Sequence, residues 1–308
     1  MDSMATPTTR MRRTIWFAAY VAACLLVFWV PLRSLAQLAL SSDTYSHILI
    51  VPFISIFLVF IERERLFRTL GRSVSPAAVL FVAGVLLGVL GWKAGAFFSG
   101  SNSLELVILG FLCLIWAGFL FFYGTRAFAA GIFPLLFLLL MVPVPSFLLD
   151  RFIVWLQIGS ADVAEWFFHL SGTPVLREGL IFVLPQVSIE VAKECSGIRS
   201  TQALLITCLL AGHLFLRTNW RRTALLIAAV PVLIIKNGVR IATLTLLAVH
   251  VDPSFLSGRL HRDGGFLFFI LGMLILLPLF LWFQRSETAL LGRNNFPGPS
   301  ASPDNPQA

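Results

Sequence analysis

The sequence predicts an all-α polytopic membrane protein with about eight transmembrane helices. Of its 308 residues, 58% are hydrophobic and 12% are charged, whereas soluble domains carry about 25% charged residues. Several apolar stretches run for about 20 residues, which is the length that an α-helix needs to cross the hydrocarbon core. Composition and run length together therefore exclude an ordinary soluble domain.

The apolar runs divide the chain into spans and two polar ends. Residues 1–13 form a cytoplasmic N-terminal segment, residues 14–284 form one transmembrane domain, and residues 285–308 form a cytoplasmic tail. The tail is rich in Pro, Ser and Asn, a composition that predicts disorder. The eight predicted spans cover residues 14–32, 47–61, 76–92, 104–123, 128–145, 198–216, 223–250 and 265–284.

The arginines predict the orientation, because membrane proteins concentrate Lys and Arg in cytoplasmic loops. With eight spans and both termini in the cytoplasm, the arginine clusters all fall on the cytoplasmic side of the membrane. The same rule accounts for the net charge of +8 without nucleic-acid binding. The clusters are Arg10, Arg12 and Arg13; Arg63, Arg65, Arg68 and Arg72; Arg126; Arg217, Arg221 and Arg222; and Arg285.

One long segment, residues 146–197, lies on the opposite side between spans five and six. Its first part, "LLDRFIVWLQIGSADVAEWFFHL", alternates apolar and polar faces near the helical period. Its polar groups are too many for a lipid-facing span, so we expect a small extracytoplasmic amphipathic helix. In the next part, "GTPVLREGLIFVLPQVSIEVAKECSG", β-branched residues and Gly predict a β-hairpin of two short strands.

Cys195 is the one cysteine of four that stands among polar residues, in "EVAKECSGIRS". The other three lie within apolar runs, where cysteine packs as a small inert hydrophobe. Cys195 directly precedes span six, and the positive end of a helix dipole favours the nucleophilic thiolate. Arg199 follows four residues later on the same helical face and adds positive charge.

Two more polar positions reach the same membrane face as Cys195. Span seven contains "IIKNGVRIATL", in which Arg240 and Asn237 are costly unless they face a polar cavity. His261 stands just before span eight, at its outer end. A thiol, an imidazole and a guanidinium make a complete set for acyl transfer. No CxxC or Cys/His spacing is present, so no metal or other cofactor is implied.

Four motifs in order resemble the exosortase/archaeosortase family of membrane-embedded transpeptidases. They are "YSHILIVP" at 45–52, "ECSGIRS" at 194–200, "NGVRIA" at 237–242 and "LHRDGG" at 260–265. The resemblance implies a catalytic triad of Cys195, Arg240 and His261. It also implies exported substrates that carry a C-terminal sorting signal made of a short motif, a transmembrane helix and a basic cluster. The cleaved protein would pass to an envelope acceptor that the sequence does not identify.

The implied mechanism begins with attack of the Cys195 thiolate on the scissile carbonyl to form a thioester. Either His261 or Arg240 protonates the leaving amine, and the other stabilises the oxyanion. We favour His261 as the acid/base because the ordinary pKa of histidine lies near 6.5, whereas a guanidinium stays protonated throughout the physiological pH range. Supporting or substrate-contacting candidates are Asn237, which would orient Arg240, and Arg199, Ser196, Tyr45 and His47.

Several other interpretations remain open at this stage. A hydrolase without transfer would use the same acyl-enzyme, so the sequence does not separate it from a transpeptidase. A transporter would use Arg240 and Asn237 to line a polar path, and Pro231 inside span seven would suit a broken helix. Arg199 also fits an interfacial anchor, and Tyr45 and His47 fit the cap of a span. The predicted location is the cell (inner) membrane, with the active site at its extracytoplasmic face.

Overall fold

The structure is a computed structural model that describes residues 7–68, 70–97, 102–185, 187–191, 198–256, 258 and 264–294. Within these ranges the chain is mainly α-helical and divides into two compact units, Met1–Phe152 and Ile153–Ala308. Cys195, Ser196 and His261 lie outside the described residues.

The first unit consists of helices joined by short connections. Two short 3-10 helices cover Asp43–Leu49 and Leu138–Met141. The helical stretch Asn102–Ala130 is kinked at Gly124, whose φ of 85° lies outside the helical region. The α-helices are α1 (Pro7–Val27), α2 (Trp29–Ser41), α3 (Val51–Ile61), α4 (Arg63–Leu66), α5 (Val74–Phe97), α6 (Asn102–Ala130) and α7 (Ile132–Phe137).

Helix α8 (Ser146–Leu170) crosses the boundary between the units, and a small sheet and three long helices follow it. The strands are β1 (Leu176–Glu178), β2 (Ile181–Val183) and β3 (Ser188–Glu190). The helices are α9 (Ile198–Phe215), α10 (Asn219–His250) and α11 (Gly265–Asn294), with a 3-10 turn at Pro253–Leu256 between the last two.

The described helices support a multi-pass membrane protein. Six of them are long and apolar enough to cross a membrane, and two bent helix pairs raise the number to eight if each pair forms one span. The helix predicted over 14–32 is one such pair, because α1 and α2 meet at 74°. Pro31 explains the break, since it has no N–H to donate to the Val27 carbonyl one turn earlier.

The helix predicted over 128–145 is also interrupted. Helix α7 ends at Phe137, the 3-10 turn continues to Met141, and α8 begins at Ser146. The intervening "VPVP" of residues 142–145 removes two backbone donors and disfavours helical geometry before each proline. The predicted amphipathic segment is helical, as expected, over the whole of α8.

The β element has three strands instead of the predicted two. Strand β2 pairs antiparallel with both β1 and β3. Gly179 starts the tight turn between β1 and β2 with φ of 65°, a conformation that favours glycine. The sheet packs on α8 and α10 through a buried cluster in which the rings of Phe168 and Phe182 lie 5.2 Å apart.

In the second unit, α10 also packs closely against α8. A Cβ atom added at Gly238 of α10 would lie 2.5 Å from Val163 Cβ and 3.0 Å from the Ser160 carbonyl oxygen of α8. Only glycine therefore allows the two backbones to approach this closely. This contact stands next to Asn237 and two residues before Arg240, so it fixes the position of both polar side chains.

Candidate active site

The candidate active site is built on a buried polar stripe along α10. Lys236 and Asn237 are 1% and 2% exposed, and Arg240 is 7% exposed. Arg240 follows Lys236 by four residues and Asn237 by three, so each of these two side chains shares a helical face with Arg240. Polar groups inside a span are costly and are retained mainly where they have a function.

Two hydrogen bonds attach this stripe to the neighbouring helices of the same unit. Lys236 Nζ donates to Ser200 Oγ in the first turn of α9 at 2.6 Å. Asn237 Nδ2 donates to Ser160 Oγ of α8 at 3.0 Å. Both serines are buried, so each bond satisfies polar groups that water does not reach. The turn of α10 that carries Arg240 is therefore fixed to α8 and α9.

Arg240 lines a small cavity of about 30 Å³ at the end of the sheet. This volume is enough for about one water molecule. From α10 the wall also includes Thr245, and the other sides come from the end of β3 and from the turn that follows α10. The wall residues outside α10 are Ile189, Glu190, Val191 and Leu256.

The end of β3 is held in place by several contacts. The Val191 backbone N–H donates to the Leu180 carbonyl at 2.8 Å, and Gln157 Nε2 of α8 donates to the Val191 carbonyl. Val191 itself is buried. The chain is thus anchored at both backbone groups of Val191, four residues before Cys195.

A partly exposed ion-pair cluster attaches the other edge of the sheet to α8. Arg177 Nη1 lies 2.7 Å from both Asp162 Oδ1 and Glu165 Oε2. Although partial burial opposes it, hydrogen bonding to these carboxylates raises the pKa of Arg177 above its ordinary value. The sheet is therefore held to α8 by the ion pairs of Arg177 at β1 and by the hydrogen bond of Gln157 after β3.

The turn after α10 is also ordered by local hydrogen bonds. Asp252 Oδ1 accepts from the Ser254 backbone N–H at 2.7 Å, which starts the 3-10 turn that ends at Leu256. The same bond holds the pKa of Asp252 below its usual range. This turn brings Leu256, five residues before His261, to the wall of the Arg240 cavity.

The sequence profile of the transmembrane exosortase family matches residues 38–278. The chain belongs to this family. The match spans most of the predicted transmembrane domain and includes all four motifs. No curated protein and no solved structure matches the chain. Membership of the exosortase family supports a general role as a membrane peptidase or transpeptidase that sorts exported proteins.

The structure brings some of the predicted site residues of this exosortase together. Arg240 and Asn237 share the buried stripe of α10, and Arg199 lies exposed in the first turn of α9. Tyr45 and His47 belong to the first unit, within the 3-10 helix Asp43–Leu49, where Tyr45 donates to the Val144 carbonyl at 3.4 Å. Helix α10 runs through Pro231 without a break, so this proline does not create the broken helix that would favour a transporter.

Three contacting residues were missed by the sequence reasoning, namely Gln157, Ser160 and Ser200. Gln157 and Ser160 are three residues apart and therefore share one face of α8, next to buried Ala161. That spacing was a usable signal of a polar face directed into the protein. Ser200 closes the motif "ECSGIRS", but a serine in the first turn of a helix is ordinary and gives no sign of its partner. Among the described residues, no group of His, Cys, Asp or Glu side chains is suited to hold a metal.

Proposed function

We propose that this exosortase is a cysteine transpeptidase that cleaves a C-terminal sorting signal from exported proteins through a Cys195 thioester. The signal would consist of a short motif, a transmembrane helix and a basic cluster, and the cleaved protein would pass to an envelope acceptor. The observation that carries the proposal is the position of Arg240, buried at a cavity whose wall includes Val191 and Leu256. These two residues lead directly into the segments that contain Cys195 and His261.

Chain length supports the assembly of the three residues. Cys195 follows Val191 by four residues and precedes Ile198 of α9 by three. An extended chain covers at most about 3.6 Å per residue, so the Cys195 Cα lies within roughly 14 Å of Val191. His261 follows Leu256 by five residues, which limits its Cα to roughly 18 Å from Leu256. These limits on chain length are compatible with a site in which Cys195 and His261 both reach Arg240, as the proposal requires.

In the proposed reaction, the Cys195 thiolate attacks the carbonyl carbon of the scissile peptide bond. Arg240 donates hydrogen bonds to the oxyanion that develops, since a guanidinium offers a fixed fork of donors. His261 gives a proton to the leaving amine as the C–N bond breaks, and a thioester remains on Cys195. An acceptor nucleophile then attacks the thioester, loses its proton to His261 and releases the thiolate.

The remaining candidates are assigned supporting roles. Asn237 orients Arg240, because its bond to Ser160 fixes the same turn of α10. Ser196 directly follows the nucleophile and Arg199 follows it by four residues. Tyr45 and His47 are assigned to substrate contact in this proposal. We place both termini in the cytoplasm and the active site at the extracytoplasmic face, with residues 14–284 forming the catalytic domain. The substrate's own helix enters laterally from the bilayer.

The test compares protein C-termini by mass spectrometry in cells with the native chain and in cells with Cys195→Ala. We expect the variant to accumulate exported proteins that keep a C-terminal helix and a basic tail. Cys208→Ala is the matched control, because Cys208 is buried in the apolar core of the second unit. Added mass on the native product indicates transfer, and a free carboxylate indicates hydrolysis. If no C-terminus depends on Cys195, the proposed function is wrong.

A further inference from the structure

We propose that Lys236 is a positioning residue for acyl transfer, which holds the first turn of α9 against the turn of α10 that carries Arg240. This inference rests on the proposed function and adds a residue to it. Lys236 is the more deeply buried of the two cations on the α10 stripe, at 1% exposure. Its contacts with α9 and α11 lie within the second unit.

The contact that carries the inference is the bond of Lys236 Nζ to Ser200 Oγ at 2.6 Å. Ser200 is the third residue of α9 and the last residue of the motif "ECSGIRS". Lys236 is four residues, about one helical turn, before Arg240 on the same helix. One bond therefore connects the helix that begins just after Cys195 with the helix that carries the proposed oxyanion donor.

A third helix closes on the Lys236 side chain. A Cβ atom added at Gly272 of α11 would lie 3.0 Å from Leu204 Cδ2 and 3.4 Å from Lys236 Cδ. Helix α11 thus packs over the aliphatic part of Lys236 and over α9. The side chain of Lys236 therefore lies between its own helix α10 and helices α9 and α11, and this packing keeps the amine near Ser200.

A lysine amine at this buried position is an expensive way to hold two helices together, because burying a polar or charged group costs free energy. Within the part of the chain that the structure describes, Lys236 forms no ion pair, and the positive charge of Arg240 one turn away repels it. Replacing a buried charge by an apolar side chain of similar shape is often neutral or stabilising. A lysine kept here at the expense of stability therefore points to a role in the reaction.

The neighbouring positions also keep polar groups without partners. Thr201 Oγ1 and Asn237 Oδ1 are buried, and neither has a hydrogen-bond partner among the described residues. Thr201 is adjacent to Ser200, and Asn237 is adjacent to Lys236. Unused donors and acceptors on both sides of the Lys236–Ser200 bond are unusual in a purely structural core and fit a site prepared for reacting groups.

The experiment separates positioning from folding. The full chain and its Lys236→Met variant are purified in lipid nanodiscs, and both melting and turnover are measured. The substrate is a fluorescent protein fused to the C-terminal segment that accumulates uncleaved in Cys195→Ala cells. We expect Lys236→Met to lower kcat at least tenfold, to change KM less than twofold, and to leave Tm unchanged or higher.

Ser200 variants test the contact itself. Ser200→Ala is expected to lower kcat, Ser200→Thr to restore it because the hydroxyl returns, and Lys236→Met/Ser200→Ala to be no slower than Lys236→Met alone. Ser55→Ala is the matched control, since Ser55 is another buried serine, bonded to the Pro134 carbonyl at 2.7 Å in the first unit. Lys93→Met is the control for loss of a lysine, at an exposed position.

The possible results distinguish the two proposals. If Lys236→Met keeps kcat within twofold while Cys195→Ala is inactive, the inference about Lys236 is overturned and the proposed function stands. A loss of kcat that is accompanied by a comparable loss of folded protein also overturns it, because the role is then structural. If the reporter is cleaved equally with Cys195→Ala, the proposed function itself fails.

Discussion

Glu287 of α11 offers a quantitative test of how the helices of the second unit are held together. This carboxylate, 6% exposed, accepts hydrogen bonds from the backbone N–H groups of Arg217 and Thr218 at 2.8 and 2.9 Å and from the Thr218 hydroxyl. Its Oε1 also lies 3.2 Å from Nη1 of buried Arg221, an ion pair that is not aligned as a hydrogen bond. The Glu287 carboxylate therefore accepts the backbone hydrogen bonds of the α9–α10 loop and also neutralises the buried guanidinium of Arg221.

Glu287→Ala removes all of these contacts and leaves Arg221 buried without a counter-charge. Breaking a buried pair in this way costs about 3–5 kcal/mol. Glu287→Gln keeps the shape and part of the hydrogen bonding, and losing charge-assisted bonds costs about 1.5–3 kcal/mol. Because Tm changes by about 2–4 °C per kcal/mol in a unit of this size, we expect Glu287→Ala to melt about 10 °C lower.

The assay is thermal unfolding of the detergent-solubilised chain, followed by size-exclusion chromatography of the fraction that stays folded. Glu178→Gln, at an exposed carboxylate of β1, is the control and should melt like the native chain. Glu287→Met/Arg221→Met should melt higher than Glu287→Met, because the double variant leaves no unpaired charge. A Glu287→Ala chain that melts within a degree or two of native would refute this account of the loop.

Three further predictions concern the proposed active site and its supports. Arg240→Lys should lower turnover nearly as much as removal of Cys195, because an ammonium does not replace the planar fork of donors; full activity would remove the geometric argument for arginine. Gly238→Ala should lower the melting temperature, since the added Cβ meets Val163 Cβ at 2.5 Å and overpacking of about 1–3 kcal/mol outweighs a helix-propensity gain of about 0.5–1 kcal/mol; unchanged melting would mean that α8 moves aside freely. In single-cysteine variants, a membrane-impermeant maleimide added to intact cells should label Cys195, and labelling only after permeabilisation would contradict the proposed topology. The cysteines expected to stay unlabelled are the buried Cys24, Cys113 and Cys208.

The sequence alone determined where most of the helices lie. The apolar runs at 76–92, 198–216 and 223–250 correspond to α5, α9 and α10, because length and hydropathy are properties of each segment by itself. The same local reasoning singled out Arg240 and Asn237, since a guanidinium and an amide inside an apolar run are conspicuous wherever the helix packs. Family membership followed from ordered motifs, which also need no tertiary information.

Other features depended on contacts between distant segments. Residues 188–190 became a third strand because β2 offered a free edge, and nothing in three residues specifies a partner. Pro31 was a local signal for the bend after α1. Because the apolar run continues on both sides of Pro31, the sequence analysis predicted one continuous span. In the first case the β-forming tendency was local, but pairing with β2 decided the strand. In the second case the apolar run was local, but one proline decided that the helix bends.

The tertiary structure alone decided which serines meet the polar stripe of α10. Ser160 and Ser200 lie 77 and 36 residues away from their partners Asn237 and Lys236. Their contacts depend on how each helix is rotated about its axis and on the close approach permitted at Gly238. A helix keeps its hydropathy under any rotation in a bundle, whereas a hydrogen bond of about 3 Å is lost with a small turn of either helix. For this reason the sequence identifies the polar residues, and only packing selects their partners.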